Sequence, residues 1–270
     1  MHTGTIDIRD IIFSRIRKKE ITAQITVEKD GIIAGSKDAR KKLEELGVII
    51  NFLIEDGEKV SAGDVIAEFK GNPKQITTAE DVVTGTLTKA SGIATAANRA
   101  VELAAGRIRV VSGAWKKMPL EIKDMVREAV KVGGASFRIA DVPFVYLDKN
   151  YVRIFGSISA ALEAASELPN HLKVIQIRGE TATISREAEE AIAGGAHVLM
   201  VDTGRVEDAL ETIKTLKIMG VRDEKQVAFA GGVKIGDIPR YSELGIDILD
   251  IGTQIIDAPL LDMKMNVISF

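Results

Sequence analysis

The sequence predicts an α/β protein in which a small N-terminal unit of strands and helices precedes a βα barrel, complete or incomplete. Beyond residue 105, near-continuous apolar strands alternate with amphipathic helices, which is the pattern of a parallel sheet covered by helices. In addition, 270 residues suffice for one barrel with a smaller domain and a sizeable buried core.

The N-terminal unit is predicted from short alternating strands and from the turn residues between them. Its elements are, in order, an amphipathic helix at residues 6–19, a strand at 21–27, a short strand after the Asp30-Gly31 turn, a helix at 37–45 and three strands within 48–71. Ser36 is predicted to cap the helix that follows it, because its hydroxyl can accept a hydrogen bond from the first helical turn.

A long, alanine-rich segment at residues 78–105 is predicted to be a helix that links two domains. Ser91-Gly92 is its weak point or a break, since glycine disfavours a helix interior. The predicted domains are residues 1–104 and 105–270, with the last segment free to return to the first domain.

The second domain is predicted from seven strands and five helices that alternate along the chain. The strands are residues 107–111, 135–138, 143–147, 172–177, 197–202, 227–230 and 246–251. The helices are residues 120–132, 157–167, 185–193, 206–219 and 236–244. This number of units indicates a barrel.

Composition excludes several classes of function. The chain has no cysteine, so disulfides, thiolate nucleophiles and Cys-ligated metals are excluded, and three separated histidines disfavour a zinc site. A net charge of −3 provides no basic field for nucleic acid. No signal-peptide pattern and no run of about 18 apolar residues is present, which predicts a cytoplasmic protein with no membrane partner.

The strongest functional signal lies after the last two strands. One strand runs into Gly231-Gly232 and the next into Gly252, which Thr253 follows. In a βα barrel these loops commonly bind phosphate, because glycines let backbone N–H groups approach it. The sequence therefore predicts a phosphorylated ligand, although Gly231-Gly232 alone could be only a tight turn.

Polar residues follow the other strands, where functional residues of a barrel gather. The candidates are Lys116 and Lys117 beside Trp115, Arg138, Asp148 with Lys149 and Asn150, Gln176 with Arg178, and Asp202 with Thr203. The cations suit an anionic ligand that carries phosphate and carboxylate.

Each candidate has a simpler structural alternative. Asp202 or Thr203 could instead cap a helix, and the two adjacent lysines could be a solvated pair. Asp148-Lys149 could be a turn with a weak surface ion pair. His197 begins a strand at the opposite end of the barrel and is interpreted as structural.

These motifs together resemble one known family, the quinolinate phosphoribosyltransferases or nicotinate-nucleotide pyrophosphorylases (carboxylating). The resemblance covers nearly the whole chain. It is carried by IEDGEKVSAGDVIAEFKG at residues 54–71, SGIAT at 91–95, the paired glycines at 133–134, GGAHVLMVD at 194–202, and AGGV followed by LGIDILDIGTQIIDAPLLDMKM.

The resemblance implies an N-terminal open-faced α/β sandwich, a C-terminal open α/β barrel of the type II phosphoribosyltransferases, and a homodimer. It implies an enzyme of NAD biosynthesis that joins a pyridine dicarboxylate to phosphoribosyl pyrophosphate with Mg²⁺ and releases pyrophosphate and carbon dioxide. By position, Gly231, Gly232 and Gly252 match the phosphate loops. Lys116 and Asp202 match catalytic positions, and Asp202 is the possible metal ligand.

The remaining candidates are assigned to the substrate. Arg138 matches a carboxylate-binding arginine of the family. The predicted substrate- and phosphate-binding residues are Arg138, Lys117, Lys149, Asn150, Gln176, Thr203, Gly231, Gly232, Gly252 and Thr253.

The chain also departs from the family pattern, mainly in the part that binds the dicarboxylate. Asp81 replaces an arginine, and the family's Asp-Thr-Arg-Lys-Thr segment reads Gly-Ala-Trp-Lys-Lys at residues 113–117. Lys-Asp-Asn-His reads Asp-Lys-Asn-Tyr at 148–151, and Gln176 replaces a glutamate. Each lost carboxylate contact costs about 1.5–3 kcal/mol, so quinolinate binding should weaken by roughly three orders of magnitude.

The acceptor is therefore predicted to differ from quinolinate, with a flatter or less charged ring stacked on Trp115. An alternative is a non-catalytic ligand-binding or regulatory relative that keeps only the phosphate site. A third, weaker alternative is a biotinyl carrier with Lys264 as the modified residue, but this lysine is far in sequence from the carrier-like strands.

Overall fold

The computed structural model describes residues 7–270, and the chain divides into two compact units. The first comprises residues up to Asn98, Leu120–Gly134 and Asp257–Phe270. The second comprises Arg99–Pro119 and Ala135–Ile256. Over residues 7–270, no helix is both long enough and apolar enough to span a membrane.

The first unit is built on an antiparallel sheet of four strands in the order β12, β1, β5, β3. Its strands are β1 (Ile21–Val27), β2 (Gly31–Ile32), β3 (Ile49–Leu53), β4 (Lys59–Val60), β5 (Val65–Gly71) and β12 (Met263–Ser269). Its helices are α1 (Ile8–Ile12), α2 (Ser36–Glu45), most of α3 (Pro73–Ala104) and α4 (Leu120–Val132). β2 pairs with β4, antiparallel.

Alternation along β1 explains the core of this unit. Ala23, Ile25 and Val27 occupy one face of the strand and are buried. They pack in one apolar cluster with Leu43 of α2 and Phe69 of β5. The predicted α/β sandwich is thereby confirmed.

α3 runs without interruption, so the predicted break at Ser91-Gly92 is wrong. Ser91 instead donates a hydrogen bond to the carbonyl of Ala34 (3.2 Å) and accepts one from its N–H (3.0 Å). A Cβ atom at Gly92 would lie 2.2 Å from the carbonyl oxygen of Pro259. The small residues therefore allow other backbone segments to lie directly against the helix.

α1 is shorter than the predicted helix at residues 6–19, of which residue 6 lies outside the described part of the chain. Asp7 caps α1 by accepting a hydrogen bond from Arg9 N at 3.0 Å. Arg9 forms an ion pair with Asp81 of α3, and Lys74 binds Asp10 at 2.7 Å. The negative charge of Asp81 is therefore balanced within its own unit.

The second unit is an open parallel sheet of six strands in the order β6, β11, β10, β9, β8, β7. The strands are β6 (Arg109–Val111), β7 (Phe144–Leu147), β8 (Leu172–Ile177), β9 (Val198–Asp202), β10 (Gln226–Ala230) and β11 (Ile248–Asp250). The helices are α5 (Lys149–Phe155), α6 (Ile158–Ala165), α7 (Ile184–Ala193), α8 (Val206–Ile218), α9 (Ile238–Tyr241) and α10 (Thr253–Ile256). The predicted open α/β barrel is confirmed.

Three further local predictions are wrong, and one helix was missed. Residues 135–138 form no strand and only one bridge, Val111 to Ser136. α5 was not predicted, because Asp148 was interpreted as a turn or site residue rather than as a helix cap. The helix predicted at 236–244 is a 3₁₀ turn followed by the short α9. Gly35, not Ser36, is the N-cap of α2.

A buried carboxylate organises the loop between β8 and α7. Glu187 is 2% exposed and accepts hydrogen bonds from the backbone N–H groups of Arg178, Gly179 and Thr181, all at 2.8 Å. Burial would raise the pKa of Glu187, but these backbone donors together outweigh it and hold the pKa below the ordinary glutamate value. The loop that carries Arg178 is thereby fixed.

We expect Gly92→Ala to lower the free energy of unfolding by about 2 kcal/mol or more, because the added methyl group meets a backbone oxygen. Gly85→Ala is the matched control on the same helix, where an added Cβ has no neighbour within 4 Å. It should raise stability by roughly 0.5–1 kcal/mol. Urea unfolding measures both variants, and equal effects would contradict the close approach at Gly92.

Glu187→Gln should cost about 2–3 kcal/mol of stability near neutral pH, because an amide N–H₂ then faces backbone donors. Glu189→Gln on the same helix is the control, since this glutamate is 45% exposed in a surface pair with Arg186. Its cost should stay within about 0.5 kcal/mol.

The stability that Glu187 contributes has a defined pH dependence. The folded-state pKa is lowered, so the contribution is complete above the unfolded pKa of about 4.3 and is lost as pH falls through the folded value. Urea titrations at several acidic pH values should therefore show the wild type and Glu187→Gln converging. A constant difference between them would contradict this account.

Candidate active site

The parallel register brings the strand-end residues to one edge of the second unit's sheet. Ala230 of β10 is paired with Asp202 of β9, and Asp250 of β11 is paired with Val111 of β6. The loops that follow these strands therefore start at the same edge of the sheet. The carboxyl edge of the sheet thus collects most of the residues that the sequence singled out.

Gln176 links the ends of β8 and β9 to the start of α5. Its side chain is 7% exposed, its Nε2 donates to Oδ2 of Asp202 at 2.5 Å, and its Oε1 accepts from the backbone N–H of Lys149 at 2.6 Å. Gln176 therefore holds the Asp202 carboxylate in place. Lys149 takes part through its backbone, while its side chain is exposed.

Arg178 supplies the positive charge beside Asp202. Its Nη1 lies 3.0 Å from Oδ2 of Asp202 and also donates to the Asp202 carbonyl, while its Nε binds Glu180 at 3.0 Å. Asp202 is not a helix cap, since Arg205 is the N-cap of α8. The sequence placed Arg178 in this region but assigned it no role.

The two glycines after β10 differ in their surroundings. Both have positive φ, +103° at Gly231 and +81° at Gly232. A Cβ at Gly231 would lie 2.4 Å from the backbone nitrogen of Gly204, whereas one at Gly232 would have no neighbour within 4 Å. Gly231 is thus required by packing against the loop after β9, and Gly232 faces open space.

Gly252 and Thr253 follow β11. A Cβ at Gly252 would lie 3.3 Å from that of Ala114, so the loops after β6 and β11 are close together. The Gly252 carbonyl accepts from the N–H of Ile255 at 3.0 Å, which starts the four-residue α10. Thr253, its first residue, is exposed.

Trp115 lies in a 3₁₀ turn and is held by contacts with Phe137. Its indole N–H donates to the Phe137 carbonyl at 2.9 Å, and the two rings meet edge to face with centroids 6.4 Å apart. In the same turn, Lys116 Nζ lies 5.0 Å from the centre of the Tyr146 ring. Lys117 is exposed.

Three other predicted binding residues lie on exposed or half-buried positions. Arg138 is exposed, with its guanidinium 5.3 Å from the centre of the Phe144 ring. Asn150 is exposed in the first turn of α5, and its N–H is capped by Asp148 at 2.9 Å. The Thr203 hydroxyl accepts from Arg205 N at 3.2 Å, which shapes the loop after β9.

The sequence interpretation missed two groups at this edge, Asp250 and Tyr146. Asp250 accepts a hydrogen bond from the N–H of Gly113 at 2.9 Å, and burial raises the pKa of its carboxyl against that hydrogen bond. Burial and then the charges of Asp250, Asp202 and Asp148 raise the pKa of Tyr146 far above its ordinary value. Asp250 could have been found, because like Asp202 it ends an apolar strand just before a glycine loop.

The donor set for a metal ion is small. Within the described residues, no group of three or more Asp, Glu or His side chains is placed to hold one. Asp202 is the one predicted ligand, and its Oδ2 already accepts from Gln176 and Arg178. Such a set suits Mg²⁺, which commonly binds one or two carboxylates together with substrate phosphates.

Comparison with known proteins shows the same family over both halves of the chain. Residues 10–91 match the N-terminal domain and residues 93–266 the C-terminal domain of the quinolinate phosphoribosyl transferase family. A probable nicotinate-nucleotide pyrophosphorylase [carboxylating] of Archaeoglobus fulgidus is 25% identical over 94% of this chain and 96% of its own length. The rat enzyme of that name is 27% identical, over 91% of this chain and 81% of its own.

Solved structures show the same fold. NadC from Streptococcus pyogenes has a TM-score of 0.82 at 22% identity, covering 98% of this chain and 92% of its own. The nicotinate-nucleotide pyrophosphorylase from Ehrlichia chaffeensis has a TM-score of 0.84 at 17% identity, covering 97% and 92%. Because both family domains match in order over most of its length, this chain belongs to the quinolinate phosphoribosyltransferase family, whose named relatives are enzymes.

Proposed function

We propose that this protein transfers the phosphoribosyl group of phosphoribosyl pyrophosphate to a pyridine-type or related ring acceptor. The observation that supports it best is the juxtaposition, at one sheet edge, of the glycine loop after β10 with the fixed carboxylate of Asp202. Gly232 has open space in front of it and no packing reason for its identity. The relatives of this chain in Archaeoglobus fulgidus and rat carry the name nicotinate-nucleotide pyrophosphorylase, which is a pyridine nucleotide enzyme.

The reaction requires charge stabilisation more than covalent chemistry by the protein. The lone pair of a ring nitrogen would form a bond to C1 of the ribose, while the bond from C1 to the pyrophosphate oxygen breaks and pyrophosphate leaves with that electron pair. Asp202 would stabilise the positive charge that develops at C1. Gln176 and Arg178 fix its carboxylate beforehand, which reduces the cost of reorganisation.

We propose that Lys116 binds an anionic group of the reactants. It lies over the Tyr146 ring at the same sheet edge and is exposed, so it can reach a leaving pyrophosphate or an acceptor carboxylate. Arg138, Lys117, Lys149, Asn150 and Thr203 remain proposed substrate contacts, with Thr253 and the backbone of Gly252 proposed for phosphate.

Mg²⁺ is the cofactor that we propose. Asp202 would hold it together with the substrate's phosphates, and the ion would neutralise charge on the departing pyrophosphate. A homodimer is a further proposal that rests on the family resemblance, and a cytoplasmic location is one that rests on the sequence pattern.

We propose that the acceptor differs from quinolinate. One family position that binds the dicarboxylate has lost its positive charge, with Trp115 in place of an arginine. Trp115 directs its indole N–H to a backbone carbonyl rather than to a ligand. The Arg9–Asp81 ion pair reduces the repulsion that Asp81 alone would exert on a dianion.

Gly232→Ala should weaken the binding of ribose 5-phosphate at least tenfold, about 1.4 kcal/mol, because a methyl group would occupy the phosphate position. Gly245→Ala is the matched control. Gly245 also has positive φ (+76°) and no neighbour within 4 Å of an added Cβ, but it precedes β11 and so lies at the opposite sheet edge. Titration calorimetry measures both, and equal losses would contradict a phosphate site at Gly232.

With quinolinate, phosphoribosyl pyrophosphate and Mg²⁺, we expect product formation at no more than about one-thousandth of the rate of a family enzyme at equal, subsaturating quinolinate. Mass spectrometry of reactions with other pyridine carboxylates and carboxamides then identifies the accepted ring. Turnover of quinolinate at an ordinary rate would refute the altered acceptor. Ribose 5-phosphate binding without turnover of any ring would favour a non-catalytic relative.

A further inference from the structure

Asp250 and Gly113 form a close pair across two neighbouring strand ends. β11 pairs with β6, and Gly113 begins the 3₁₀ turn that follows β6. Oδ1 of Asp250 accepts from the Gly113 N–H at 2.9 Å, and Oδ2 lies 3.0 Å from where a Cβ of residue 113 would be. The carboxyl group of Asp250 therefore fills the space that a side chain at position 113 would enter.

Asp250 differs from Asp202 in how its charge is satisfied. Asp202 has the Arg178 guanidinium at 3.0 Å and the Gln176 amide at 2.5 Å. Asp250 has the single backbone N–H of Gly113, and among residues 7–270 no Lys, Arg or His nitrogen lies within 4.0 Å of it. A carboxylate can accept about four hydrogen bonds, so most of its capacity is unused.

A largely buried carboxylate in this state favours a donor. Leaving its remaining acceptor positions unfilled costs free energy, which a ligand N–H or cation would recover on binding. Burial raises the pKa of the Asp250 carboxyl above its ordinary value, although the Gly113 N–H and the charges of Lys116 and Lys117 act to lower it. A ligand carboxylate in the same place would add like-charge repulsion.

We propose that Asp250 determines acceptor specificity by accepting a hydrogen bond from an N–H group of the ring acceptor, such as a carboxamide or an amine. The proposal rests on the phosphoribosyl transfer proposed above. It assigns the acceptor class as a ring that carries a hydrogen-bond donor where quinolinate carries a carboxylate.

Nicotinamide and nicotinate test this directly, because they are nearly the same size and differ in a donating carboxamide against an accepting carboxylate. We would measure the affinity of each by calorimetry at pH 7.5, with the protein saturated with ribose 5-phosphate. The wild type should bind nicotinamide at least tenfold more tightly than nicotinate, since a site built for an N–H rejects an analogue that lacks it.

Asp250→Asn should lower this nicotinamide-to-nicotinate ratio at least tenfold, because its amide can donate to a carboxylate while its oxygen still accepts from Gly113. Asp250→Ser removes the charge with a smaller side chain and should lower the ratio as well. Asp223→Asn, an exposed position in a distant 3₁₀ turn, removes the same charge and should leave the ratio unchanged. Ribose 5-phosphate binding verifies that each variant is folded.

The outcomes separate the two proposals. No ribose 5-phosphate binding by the wild type defeats the proposed function itself. If ribose 5-phosphate binds, the role of Asp250 is overturned by a wild-type preference for nicotinate, by undetectable nicotinamide binding, or by a ratio that neither folded variant changes.

Discussion

The aligned ends of parallel strands are the constraint on which this site depends. Pairing of Ala230 with Asp202 and of Asp250 with Val111 fixes where each strand stops. Residues from strands that are distant in sequence therefore meet at one edge of the sheet. Loops can vary in sequence at this edge without changing where the strands deliver them.

Buried carboxylates then set the positions of the charges at that edge. Glu187 binds the loop that carries Arg178, and both Arg178 and Gln176 donate hydrogen bonds to Oδ2 of Asp202. These contacts fix the Asp202 carboxylate, and a fixed carboxylate stabilises developing positive charge better than a mobile one. Asp250 takes no part in this series of contacts and accepts a hydrogen bond from the backbone N–H of Gly113, and we propose it as the group that binds the acceptor.

Periodic patterns predicted most elements but not the contacts. The bounds of β1, β8 and α4 match the predicted residues, because alternation and amphipathicity reflect burial directly. The strand predicted at residues 135–138 failed because its pairing partner provides only one bridge, from Val111 to Ser136. α5 was missed although its cap, Asp148, lies directly before it, because that aspartate was interpreted as a turn or site residue. The family pattern located the site edge, whereas the hydrogen bond from Gly113 to Asp250 and the packing of Gly231 required coordinates.

The most direct test of the account is a crystal structure of this protein with ribose 5-phosphate. We expect the phosphate to accept hydrogen bonds from the backbone N–H groups of Gly232 and Gly252, with the sugar directed towards Asp202. A phosphate bound away from this sheet edge, with these loops empty, would contradict the account.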